Sequence, residues 1–88
     1  MPTVAVLGAS ADRSKYGNKA VRAYQQRGFT VYPVNPKGGE IEGLESYASM
    51  ADVPAGKLNL ISVYLPPPVG LEVLDEVAKR GCDELWLN

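Results

Sequence analysis

Three short stretches of this chain carry residue types suited to a phosphorylated ligand, and each follows a run that reads as a buried strand. The first is Gly8-Ala9-Ser10-Ala11-Asp12. Gly8 lets backbone approach a ligand closely, while Ala9 and Ser10 are small enough to leave the amides of the turn open to an anion, with the Ser10 hydroxyl as a further donor. The second is Asn35-Pro36-Lys37-Gly38-Gly39. It stands where a NAD site places Asp or Glu to hold the ribose hydroxyls. The cation Lys37 suits a ribose phosphate instead, which points to NADP, or to coenzyme A with its 3′-phosphate. The third is Leu65-Pro66-Pro67-Pro68, a rigid apolar wall without backbone donors, against which an adenine ring can lie. Each has a plainer alternative: an ordinary tight turn, a surface lysine beside a Gly-Gly turn, and a strand stop with one proline in a first helical turn. The glycine spacing is neither G-x-G-x-x-G nor a Walker loop, because the next glycine after Gly8 is Gly17 and no Gly-Lys-Ser/Thr triplet occurs.

The rest of the composition narrows the chemistry. The 88 residues include no histidine and one cysteine, Cys82. Imidazole bases, His-ligated metals and phosphohistidine chemistry are therefore unavailable to them, a disulfide framework and a cysteine-clustered zinc site are excluded, and no metal is expected. Cys82 follows a helix end at the start of a strand and reads as a small core residue. Tyr24 and Tyr64 read as packing, and Glu72, Asp75 and Glu76 as a solvated helix face. No catalytic constellation emerges. A single cysteine, no run of roughly 20 apolar residues and no basic-then-apolar leader fit a cytoplasmic protein without a membrane span. The formal net charge of −1 argues against nucleic acid. Charge is nonetheless uneven: Met1 to Gly39 holds six cations against Asp12 alone, and the remainder holds three cations against nine acids. Solvated helix faces of opposite sign explain this, and so does an anion site in the first half.

The elements that must position these loops follow a simple alternation. Thr3 to Leu7 is a short β-branched and apolar run ending at Gly8, as in a strand buried on both faces. Asn18 to Arg27 places Ala20, Val21, Ala23 and Tyr24 on one side of a helix, with Gly28 as a left-handed cap. Phe29 to Val34 resumes strand character, Pro33 marking a bulge or a strand end. Asn35 to Gly43 reads as a loop, Gly43 to Tyr47 holds at most a very short strand, and a weak helical turn follows near Ser49 to Val53. Leu58 to Leu65 is the strongest strand, Val69 to Arg80 a helix ending at Gly81, and Glu84 to Leu87 a final strand. Alternating strands and helices with buried strands predict one α/β domain over residues 1–88. Its form is a Rossmann-like three-layer sandwich with a mostly parallel sheet, strand order 3-2-1-4-5 and a vestigial third strand. The three loops then leave carboxyl ends of strands around one crevice.

Four motifs in order carry a resemblance: Val4-Ala5-Val6-Leu7-Gly8-Ala9-Ser10, Lys15-Tyr16-Gly17, Tyr32-Pro33-Val34-Asn35-Pro36-Lys37 and Val63-Tyr64-Leu65-Pro66-Pro67. Together they resemble the small CoA-binding protein family, which is similar to the N-terminal CoA-binding domain of the succinyl-CoA synthetase alpha subunit and of related NDP-forming acyl-CoA synthetases. The resemblance spans nearly the whole chain. It implies that Gly8, Ala9 and Ser10 meet the coenzyme A phosphates, that Lys37 pairs with a phosphate and that Pro66 and Pro67 line the nucleotide. Tyr16 and Gly17 match the family's Tyr-Gly pair at the first helix, and Asn35 and Pro36 belong to the motif of Lys37. The expectation is a non-catalytic module, a carrier, sensor or regulatory partner that binds coenzyme A or an acyl-CoA. The alternatives are the nucleotide-binding piece of an NDP-forming acyl-CoA ligase whose catalytic histidine lies elsewhere, and an NADP-binding redox or sensor domain.

The chain is short at its C-terminus relative to that family, whose members continue past the strand ending here at Asn88. A last strand at Glu84 to Asn88 then exposes Trp86 and unpaired backbone. The expectation is either self-association into a homo-oligomer through this edge or a longer protein of which this chain is a piece. Under the first, sedimentation velocity at rising concentration should show a species heavier than one 88-residue chain; a compact monomer throughout counts against it.

Overall fold

The apolar run at Thr3–Leu7 forms strand β1, an inner strand of the sheet in this computed structural model, which describes residues 2–54, 58–64 and 81–87. Helix α1 (Tyr16–Gln26), strand β2 (Thr30–Val34), a hairpin of β3 (Glu40–Ile41) and β4 (Leu44–Glu45), a 3-10 turn at Met50–Asp52, β5 (Leu58–Val63) and β6 (Cys82–Leu87) follow. β1 pairs in parallel with β2 and with β5, and β6 pairs in parallel with β5, giving the order β2-β1-β5-β6. The vestigial strand expected outside β2 is reduced to one residue, Tyr47, in a parallel bridge to Val34. The expected helix over Val69 to Arg80 and the triple proline lie outside the described residues.

β1 is buried because both faces of the sheet are covered. Val4 and Val6 pack with Ala20 and Val21 of α1, while Ala5 and Leu7 pack with Leu58, Ile61, Met50 and Val53 on the opposite face. Removing each such valine, leucine, isoleucine or methionine side chain from water contributes about 1.5–3 kcal/mol, and the two strands richest in them, β1 and β5, are the inner pair. Cys82 is half-buried against the second of these clusters, as its neighbours in sequence suggest.

α1 begins two residues earlier than the periodicity implies, and its buried face includes Gly17 and Asn18 as well as Ala20 and Val21, whereas Ala23 is exposed. Its end is fixed by two hydrogen bonds, Gly28 N–H to Gln25 C=O at 3.1 Å and Phe29 N–H to Tyr24 C=O at 3.1 Å. Gly28 supplies the left-handed φ of 83° that this cap requires, and the Tyr24 and Phe29 rings meet edge to face at 5.1 Å across it.

Pro33 makes no bulge. β2 keeps unbroken register with β1 from Thr30 to Val34, and Pro33 carbonyl accepts from Tyr47 N–H at 2.9 Å on the outer side. Because N–H and C=O of one strand residue point the same way, the donor that proline lacks is missing only from that outer side. β4 is the very short strand expected at Gly43 to Tyr47, whereas its partner β3 lies in what reads as loop, because a two-residue strand has no periodicity to detect. Glu42 and Gly43 form its turn with φ of 50° and 80°, both in the left-handed region as a type I′ turn needs.

Helix α1 and the turn after β1 approach each other backbone to backbone. Gly17 lies against the carbonyl of Gly8, so that a Cβ at position 17 would run into that oxygen. Gly17→Ala should therefore destabilise the domain by about 1–3 kcal/mol, the usual cost of overpacking. Thermal unfolding should show a Tm lower by about 4–8 °C for each kcal/mol.

Candidate functional site

The loop leaving β1 is held by its carbonyls. Asn35 Nδ2 donates to Ala9 C=O at 2.9 Å, Asn18 Nδ2 to Ser10 C=O at 2.8 Å and Arg22 Nη2 to Arg13 C=O at 3.1 Å. Further along, Ser10 Oγ accepts from Asp12 N–H at 3.0 Å, which leaves its own hydrogen free to donate outward. Asp12 Oδ1 accepts from Ser14 N–H at 3.0 Å and from Ser14 Oγ at 2.7 Å. Lys15 N–H then donates to Asp12 C=O, and α1 starts with no side chain capping its first turn and no acid within it. An anion reaches this turn from the hairpin, where the Glu42 carboxylate accepts from Asn18 Nδ2 at 3.1 Å.

The loop leaving β2 is an Asx turn. Asn35 Oδ1 accepts from Lys37 N–H at 2.8 Å and Asn35 C=O accepts from Gly38 N–H at 2.9 Å, which carries the exposed Lys37 side chain past the strand end. Both polar ends of the Asn35 side chain are therefore engaged within the protein, and the residue joins the two loops.

These loops bound a cleft of about 590 Å³ at the carboxyl ends of β1, β2 and β5. Of the residues singled out by sequence, Gly8, Ala9, Ser10, Asn35, Pro36 and Lys37 line it. Tyr16 and Gly17 do not: Tyr16 is 75% exposed with Lys19 Nζ 5.1 Å from its ring centre, and Gly17 is buried behind the loop, where it supports Gly8. Pro66 and Pro67 lie outside the described residues. Lys15, Ile41 and Tyr64 also line the cleft and had been given no role there. Lys15 was detectable as a cation just before a helix start. Tyr64 does pack against the α1-side core, as expected, and reaches the cleft as well. Lys15, Lys37, Ser10 and Asp12 thus line one open volume, in which the two ammonium groups and the serine hydroxyl are suited to a polyphosphate.

The family described as CoA binding domain matches residues 2–88. The chain belongs to that family. Coenzyme A is accordingly the ligand of this domain, as the four sequence motifs implied. Among curated relatives, an ADP-forming acetate–CoA ligase of Methanocaldococcus jannaschii is 34% identical over 79 residues, covering 90% of this chain and 11% of the ligase. The alpha subunit of an ADP-forming acetate–CoA ligase II of Pyrococcus furiosus is 32% identical over 79 residues, covering 89% of this chain and 17% of the subunit. The chain thus spans less than a fifth of the length of these relatives. A conserved hypothetical protein from Pyrococcus furiosus superposes with a TM-score of 0.88 and 39% identity, over 100% of this chain and 75% of that one. Among the described residues, no helix is long and apolar enough to cross a membrane.

The Asp12 carboxyl is held below its ordinary value of 3.8, first by the Ser14 hydroxyl, then by the Ser14 N–H, with a smaller contribution from the Lys15 charge. A depressed folded-state value means that this turn contributes its full stability above about pH 4 and loses it as pH falls through the lowered value. Ser14→Ala removes the largest of these effects. The Asp12 midpoint, followed by NMR through its carboxyl carbon, should move up towards 3.8.

Proposed function

We propose that the cleft at Ser10 and Lys37 receives the nucleotide end of coenzyme A, or of an acyl-CoA. In this reading the domain is a binding module that makes and breaks no bond of its own. The observation that carries the placement is the convergence of the β1 and β2 loops on one volume, with Lys37 where a dinucleotide site has an acid. The pyrophosphate lies by Ser10 and the start of α1, and Lys37 pairs with the 3′-phosphate. A lysine there fits a phosphate better than a ribose hydroxyl, because an ammonium donates and cannot accept.

A second reading is favoured by the relatives, which are ligases many times longer. In it the domain is the CoA-holding piece of an acyl-CoA ligase and the catalytic groups belong to other domains or chains. The two readings share the cleft and differ in whether a ligase chain co-purifies and turns over acyl-CoA with nucleotide.

Isothermal titration with coenzyme A, dephospho-CoA and NADP at one salt concentration tests the placement. Lys37→Ala should weaken coenzyme A by about 1–2 kcal/mol, the range for a charge-assisted bond, and dephospho-CoA by much less. Equal losses for both ligands would show that Lys37 does not read the 3′-phosphate, and tighter binding of NADP than of coenzyme A would reassign the cleft.

A further inference from the structure

Asn18 is fully buried, lies behind the Ser10 loop and is absent from the cleft lining. Its amide is nonetheless engaged at every side. Nδ2 donates to Ser10 C=O at 2.8 Å and to Glu42 Oε2 at 3.1 Å, and Oδ1 accepts from Arg22 Nε at 2.9 Å. A flipped amide would set donor against donor at Arg22 and oxygen against oxygen at both Ser10 and Glu42, so only one orientation is satisfied. The two groups that fix it are themselves held. Arg22 Nη2 reaches Arg13 C=O, and Glu42 accepts Gln25 Nε2 on its carbonyl at 3.1 Å and pairs with Arg13 at 3.7 Å. Glu42 takes a left-handed φ of 50°, a conformation that costs a non-glycine residue free energy and persists where surrounding contacts over-determine it.

The consequence falls on the peptide that Asn18 holds. In a trans peptide the C=O of one residue and the N–H of the next point in opposite directions, and no described peptide bond is cis. With Ser10 C=O drawn back to Asn18, Ala11 N–H is turned the other way. Asn35 does the same to Ala9 C=O, which turns Ser10 N–H. Among the described residues neither N–H has a partner, and Ala9, Ser10 and Ala11 all line the cleft. Two successive N–H groups without a protein partner are what an anion-binding concavity is built from.

We infer that Asn18 is a positioning residue that gives the loop its polarity for the ligand's pyrophosphate, with Arg22 and Glu42 setting the direction of its amide. The inference rests on the placement of coenzyme A in this cleft. Without the donor at position 18, the Ser10–Ala11 peptide is free to turn its carbonyl towards the phosphates, where it repels them.

The test titrates wild type, Asn18→Ala, Arg22→Met and Glu42→Gln with coenzyme A, dephospho-CoA and inorganic pyrophosphate, following heat of binding and the Ser10 and Ala11 amide resonances. Thermal unfolding confirms that each variant is folded. In the wild type both amides should shift on binding. Asn18→Ala should weaken coenzyme A and dephospho-CoA by the same factor, at least tenfold, because the pyrophosphate is common to both, and the two amide shifts should be lost. Arg22→Met leaves Asn18 in place but unlocks its orientation, and should weaken both ligands several-fold even if Asn18→Ala fails to fold. Glu42→Gln, which keeps an acceptor, should bind within about twofold of wild type. A folded Asn18→Ala or Arg22→Met that binds like the wild type overturns the inference. A wild type whose two amides respond to pyrophosphate, with the response lost in the variants, but which does not bind coenzyme A sustains Asn18 and overturns the placement. Amides silent to every ligand overturn both.

Discussion

The cleft depends on how closely the backbone of α1 approaches the loop that leaves β1. That approach exists because position 17 carries no side chain, so the first turn of the helix rests on the Gly8 carbonyl. It brings Asn18 within hydrogen-bonding distance of Ser10 C=O, and it sets the open start of the helix beside the loop that lines the cleft. One missing methyl group therefore determines where the helix dipole, the loop amides and the Ser10 hydroxyl meet. The sheet beneath supplies the rigidity: β1 is gripped by parallel neighbours on both sides and covered by apolar side chains on both faces. A loop springing from such a strand has a fixed point of departure.

The electrostatics of the first half of the chain follow from the same arrangement. The sequence places six cations there against Asp12, and the structure distributes their work. Arg22 is spent on Asn18 and on Arg13 C=O, and Arg13 is paired with Glu42 from the hairpin. Lys15 and Lys37 extend into the cleft from its two bounding loops. Of the six cations, two are thus held behind the loop by hydrogen bonds and an ion pair, and two line the cleft. Asp12, the acid of this region, has its carboxylate turned to Ser14 and acts as the local turn former.

Much of this was legible in the order of residues. A short β-branched and apolar run ending in glycine marks an inner strand and the turn that leaves it, and a glycine after an amphipathic stretch marks a helix end. Both readings use local information, and the Gly28 cap and the Ser10 loop stand where they were expected. The very short strand at Leu44–Glu45 stands where one was expected, but its partner at Glu40–Ile41 escaped because it is two residues long and the turn between them begins with glutamate rather than the usual Asn, Asp or Gly. Asn18 escaped for a different reason. Its importance is created by folding, which brings Ser10 and Glu42 to it from 8 and 24 residues away, and an asparagine in a helix carries no mark of that. Tyr16 and Gly17 were grouped by motif alone, whereas the structure separates them into an exposed ring and a buried contact.

Pro33 has a consequence for how the sheet can grow. On the outer margin of β2, the Pro33 carbonyl and the Asn35 N–H are both taken by Tyr47, and the Pro33 nitrogen has no hydrogen to offer. Of the groups that alternate to that side, only those of Val31 remain within the strand, too few to guide a further one. The β2 margin is thereby a poor template for a further strand.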